Sequence, residues 1–168
     1  MAELDAITSI VRDTLVAGGF QAAICDYPFG GKMRHETPVV SVGIKSGSGV
    51  AAGFAEYLGQ QYDSENDTYN ELFGKKLDVV IGLHIYSPKS ESFGADGCLS
   101  VFSEAASILS KLPGGLRIRE ITCGETEYDA AIGMFHCPVD LKCTAFMYAI
   151  KKEENDILDF TLKGVLVN

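Results

Sequence analysis

The sequence predicts an α+β fold: a mainly antiparallel sheet packed by two helices, in the order helix, strands, long loop, strand, helix, strands. Three observations carry this. Leu77, Val79, Ile81, Leu83 and Ile85 recur at period two, which puts all five on one face of a strand. Leu99, Phe102, Ala106, Leu109 and Leu112 then recur at helical spacing, in a segment opened by Asp96-Gly97 and stopped by Pro113-Gly114-Gly115. A strand face and a helix stripe must each bury their apolar side, so Leu99, Phe102 and Leu109 are expected to pack on Val79, Ile81 and Leu83. Thirdly, the four segments that follow this helix, from Leu116 to Val167, favour extended structure.

The elements follow in order. Residues 3–17 predict a helix, with Leu4, Ile7, Ile10, Val11 and Leu15 on one stripe, and Gly18-Gly19 end it because glycine accepts the left-handed conformation of a helix terminus. Residues 20–26 predict a first strand through the alternation of Phe20, Ala22 and Ile24, and Tyr27-Pro28-Phe29-Gly30-Gly31 turns the chain. Pro38 precedes a β-branched second strand over 39–45. From 46 to 76 the character changes. Ser46-Gly47-Ser48-Gly49 reads as flexible and 60–70 is polar and acidic, so the segment predicts a long, mobile loop. A connection of about thirty residues is unusual in a compact domain and tends to be functional. After the strand at 77–86 and the helix at 97–112, residues 116–123, 130–137, 139–150 and 157–167 predict four more strands. The last two are joined by the polar turn Glu153-Glu154-Asn155-Asp156. Residues 1–168 are expected to form one domain.

Composition narrows the function. Apolar residues make up 46% of the chain and charged residues 22%, ordinary globular values, while the net charge is −9. Such a surface repels a nucleic-acid backbone, which argues against sequence-specific DNA binding, though a channel that lets DNA slide is compatible with it. Glu3 and Asp5 occupy the place where a secretory signal carries positive charge, and no run of about 18 apolar residues offers a membrane span. A soluble protein made in a cytosol is expected.

Candidate chemistry is sparse. Cys25, Cys98, Cys123, Cys137 and Cys143 are odd in number and scattered, with no close Cys pair of zinc-site spacing, so buried reduced thiols are expected and no metal. Gly47-Ser48-Gly49 with Gly53 is an imperfect echo of a dinucleotide fingerprint, in which glycines let a pyrophosphate approach a helix N-terminus. That leaves open a small enzyme or ligand-binding module using the Gly47 to Gly53 loop. Asp63, Glu65 and Asp67 lack the glycine and glutamate offsets of a calcium loop. No G-x-S-x-G elbow is present, and His136 beside Cys137 cannot be a dyad because neighbouring strand residues point to opposite faces. Neither a catalytic set nor a cofactor is expected. His84 and Tyr86 alternate onto the face opposite the apolar set of their strand, where a partner can cover them. Phe54, Tyr57 and Tyr62 are candidate interface anchors, since tyrosine suits surfaces dry on one side and wet on the other.

The stretches LDVVIGLHIYSP, GCLSVFSEAASIL and FTLKGVLV, in the order given above, resemble the tail terminator (tail completion) proteins of long-tailed phages and prophages over almost the whole chain. The resemblance implies a non-enzymatic structural protein that closes the head-proximal end of a tail as a hexameric ring. It implies contacts with tail tube and head–tail connector proteins, assembly in the host cytoplasm, and residence in the virion tail.

Overall fold

The computed structural model describes residues 2–26, 35–51, 56–112, 116–151 and 157–162. Residues 27–31, Gly53, Phe54, and the turns expected at 113–115 and 153–156 lie outside the described residues, as do the side chains of Leu4 and of residues 157–162. Among the described residues, helices α1 (Ala2–Ala17) and α2 (Gly94–Leu109) accompany strands β1 (Ala23–Asp26), β2 (Val39–Ala51), β3 (Tyr57–Asp63), β4 (Thr68–Pro88), β5 (Arg117–Cys123), β6 (Glu127–Asp129), β7 (Met134–Lys151) and β8 (Ile157–Leu162). The expected α+β class and mostly antiparallel sheet are present. One mixed sheet runs β1-β2-β4-β7-β5, with β3 on β4 and both β6 and β8 on β7. Only the β1–β2 pair is parallel among these ladders.

The core lies where the alternating strand requires it. Val79, Ile81, Leu83 and Ile85 of β4 are buried together with Val40 and Val42 of β2 and with Val139, Leu141 and Cys143 of β7, all under the two helices. From α1 come Ile7, Val11 and Leu15, as its spacing predicts. The amide of Phe20 donates to the Leu15 carbonyl at 3.1 Å, and Gly19 holds φ +78°. A left-handed glycine at that place satisfies the last helical carbonyls.

Helix α2 is rotated from its expected stripe. Leu109 is buried as expected and Phe102 packs against the core from a half-buried position, but Leu99 is 51% exposed, and Cys98, Val101 and Ala105 are the other buried side chains. The small side of the helix faces inward: a Cβ on Gly97 would stand 2.3 Å from Ser87 Oγ, so the helix lies close to the end of β4. Asp96 sits in the first turn and is not the cap, which falls on Phe93 without a side-chain hydrogen bond.

The long loop expected at 46–76 is overturned. Strand β2 runs on through Ser46-Gly47-Ser48-Gly49 to Ala51, with one irregularity between Ile44 and Ser46, and β3 and β4 make a hairpin closed at Asp63 and Thr68. Glycine and serine have low strand preference, but the partner strand supplies the ladder that local propensity does not. The hairpin turn is built by Asp63, whose Oδ1 accepts the amides of Glu65 (3.0 Å) and Asn66 (3.3 Å), with Asp67 at φ +52° returning the chain. The same device recurs between β6 and β7. There Asp129 Oδ1 accepts the Ala131 and Ile132 amides at 2.8 and 3.3 Å, and Gly133 holds φ +81°.

Two separate strands expected at 130–137 and 139–150 are one strand, β7, which passes straight through Pro138. A proline removes a ladder donor. Here the Pro138 carbonyl accepts the Gly124 amide at 2.7 Å, so its nitrogen faces the gap between β5 and β6 and no ladder bond is lost. Strands β4 and β7, of 21 and 18 residues, pair along Glu71–Pro88 and Met134–Lys151. At about 3.3 Å per residue β4 is about 70 Å long, while a 16-residue helix covers about 24 Å. The β3, β4, β7, β8 portion therefore forms a ribbon that reaches beyond the part of the sheet under α2, with α1 in contact with β8 and Leu72 buried.

Candidate functional site: the second face of the sheet

Alternation gives the sheet a second face, opposite the one that carries the helix-packed core. From β4 it takes Asp78, Gly82, His84 and Tyr86, from β7 His136, Asp140, Lys142 and Thr144, and from β2 Ser41 and Lys45. The register sets Tyr86 opposite His136 and His84 opposite Ser41 and Pro138.

Three aromatic rings meet at one end. His84 Nδ1 is hydrogen-bonded to His136 Nε2 at 2.8 Å, and Tyr86 stacks on His136 with centroids 4.7 Å apart. The His84 and His136 centroids are 5.0 Å apart and the rings nearly parallel, which fits imidazoles lying edge to edge about the shared hydrogen bond. Burial pushes the His84 pKa below its ordinary value, with further lowering from His136 and Lys45 and opposition from Asp140. Burial also lowers that of His136, against the raising influence of Asp129 and Glu127. Gly82 makes room for this group: a Cβ there would lie 2.9 Å from Lys45 Cδ and 3.2 Å from His84 Nε2. Val39, Tyr86 and Met134 form a small second apolar cluster on this side, with Ile132 against it.

Beside the rings runs a ladder of opposite charges. Lys45 Nζ donates to both carboxylate oxygens of Asp140 at 2.8 and 3.0 Å. Asp78 accepts from Arg119 at 2.9 Å and from the Thr144 hydroxyl at 3.1 Å. Lys142 reaches Glu120 at 3.0 Å, and its hydrogen bond is the main cause that lowers the Glu120 pKa. These pairs are half-exposed and screened by solvent, so each adds little to stability, and their main effect is to set strand register and keep the face polar.

The expected interface residues divide into two places. His84 and Tyr86 belong to the ring cluster. Tyr57 and Tyr62 stand on β3, on the ribbon: Tyr57 meets Phe73 edge-on at 5.4 Å, and Tyr62 meets Tyr69 at 5.2 Å while donating its hydroxyl to Asp67 at 2.6 Å. That bond to a carboxylate is the first cause that raises the Tyr62 pKa. Tyr57, Tyr62 and Tyr69 are 40, 52 and 66% exposed. From Tyr69 to His84 is about 50 Å along β4, so the two groups do not form one site. Phe54 lies outside the described residues.

The pairing of His84 with His136, 52 residues apart, was not readable from sequence, and neither was the contact of Cys123 Sγ with Cys137 Sγ at 3.0 Å. Parity within β7 places His136 on the same face as His84, but only the register brings them together. Gly47 and Gly49 lie in a paired strand rather than in a turn opening a helix, so they do not form the phosphate cradle of a dinucleotide site. Among the described residues, no three His, Cys, Asp or Glu side chains cluster so as to hold a metal ion, and no helix is long and apolar enough to cross a membrane. No protein-family model matches the chain, and no curated protein matches it either.

Proposed function

We propose that this chain is a non-enzymatic structural protein of a long-tailed phage or prophage tail, closing the head-proximal end as a ring of like subunits, six by resemblance. Its partners in this reading are its own copies, the tail tube and the head–tail connector. The observation that supports the reading best is the ribbon. Strand β3 pairs with β4 along one edge, and exposed Tyr57, Tyr62 and Tyr69 project from the same hairpin. A strand edge and large amphipathic rings are both surfaces that a neighbouring subunit can bury. The net charge of −9 suits a ring through which DNA passes without adhering.

Negative-stain microscopy with light scattering on purified protein tests this reading. Rings of one subunit number are expected at high protein concentration, and Tyr62→Glu with Tyr69→Glu should shift the population to protomers. A monomer at every concentration, alone and with tail tubes, would remove the proposal.

A further inference from the structure

We propose that Cys123 and Cys137 form an oxidation site, at which a small-molecule disulfide such as oxidised glutathione converts two thiols into one intramolecular cross-link between β5 and β7. The two sulfurs lie 3.0 Å apart, and both also approach the Gly124 carbonyl, at 3.4 and 3.7 Å. A disulfide bond is about 2 Å long, so closure asks for an approach of about 1 Å. The backbone between them is already tied, since the Gly124 amide donates to the Pro138 carbonyl at 2.7 Å.

Access is asymmetric, and that sets the order of events. Cys123 ends β5 and is partly exposed, whereas Cys137 is buried. The Cys123 thiolate attacks one sulfur of oxidised glutathione, forming a mixed disulfide and releasing one glutathione thiol. The Cys137 thiolate then attacks the Cys123 sulfur, and the second glutathione leaves. Two protons and two electrons pass from the protein thiols to the oxidant, which ends as two thiols. Both steps need a thiolate. Burial pushes the Cys123 thiol up to about 11, so reaction is slow at neutral pH. Cys98 belongs to the same thiol group but is held on backbone carbonyls, with Sγ 3.6 Å from Phe135 O, and its pKa is pushed up to about 12. The cross-link closes a loop from 123 to 137 in the unfolded chain, and such a closure stabilises the fold. Its timing alone rests on the tail reading: a particle assembled in cytosol meets an oxidising medium after release.

The test is incubation of the native full chain with excess oxidised glutathione at mildly alkaline pH. Thiols are counted after unfolding, and peptides are mapped by mass. The expected result is a chain lighter by two hydrogen atoms, three thiols left of five, a Cys123–Cys137 linked peptide and a raised denaturation midpoint. Cys123→Ser should keep all its four thiols, and Cys98→Ser should still close. Five unreacted thiols, a stable glutathione adduct on Cys123, or a link mapping to any other pair would each overturn the proposal. Thiol counts are independent of ring formation, so failure here and failure of the tail reading are read separately.

Discussion

His84 Nδ1 and His136 Nε2 stand 2.8 Å apart across the β4–β7 ladder, in rings 6° from parallel. One nitrogen must donate and the other accept, so the pair accommodates a neutral or a singly protonated state. Charging both rings would place two N–H groups head to head.

That geometry makes stability depend on pH. Both histidines have pKa values lowered below 6.5, first by burial; Lys45 and the partner ring add to it for His84, while Asp140, Asp129 and Glu127 oppose. The unfolded chain therefore binds protons at higher pH than the folded one. The stabilisation is fully present above about pH 6.5 and is lost as pH falls through the lowered folded values. Urea midpoints between pH 8 and pH 5 should fall, and the fall should be smaller in His136→Asn. Equal slopes in both proteins would assign the pH dependence to other groups.

The rotation of α2 separates two substitutions that sequence spacing treats alike. Leu109 is buried, at 2% exposure, and Leu109→Ala should cost about 2–5 kcal/mol. Leu99 faces solvent, so Leu99→Ser should stay within about 0.5 kcal/mol of wild type. Denaturant titrations of the two variants decide the orientation of the helix.

Gly97 and Ser87 should be energetically coupled. A Cβ at Gly97 would stand 2.3 Å from Ser87 Oγ and 3.1 Å from Phe93 Cβ, and such overpacking costs about 1–3 kcal/mol. The Ser87 hydroxyl is buried without a hydrogen-bond partner, so Ser87→Ala should be close to neutral by itself. In a double-mutant cycle Ser87→Ala should recover part of the Gly97→Ala loss, and additive effects would show that the helix moves as a body instead.

How much of this was legible follows from the residues themselves. The dry face of β4 was readable because Leu77 to Ile85 alternate without a break, and the end of α1 because glycine at Gly19 accepts the left-handed conformation that ends a helix. The ribbon was not, because Ser46 to Gly49 and the polar stretch from Gln60 to Asn70 form strands through their neighbours and not through their own preferences. Its turns did leave a signal, an Asp followed four residues later by Asp or Gly, at Asp63 and Asp67 and again at Asp129 and Gly133. The orientation of helix α2 was not readable because Cys98, Val101 and Ala105, which lie outside the stripe of Leu99, Phe102 and Ala106, are the small side chains that let the helix settle on the sheet. His84, Tyr86 and His136 show the limit most clearly. Parity placed His84 and Tyr86 on the correct face, but a contact across 52 residues depends on register, which spacing within one strand does not contain.

The 21-residue strand β4 has a mechanical consequence. A pull on the Asp63–Thr68 turn travels along one continuous backbone into the core, with no joint between ribbon and domain. There β4 is flanked on both sides by antiparallel partners, β2 and β7, whose hydrogen bonds run across the direction of load. Such bonds yield together in shear and not one after another, so β4 acts as a tendon that carries tension from the hairpin tip to the whole sheet.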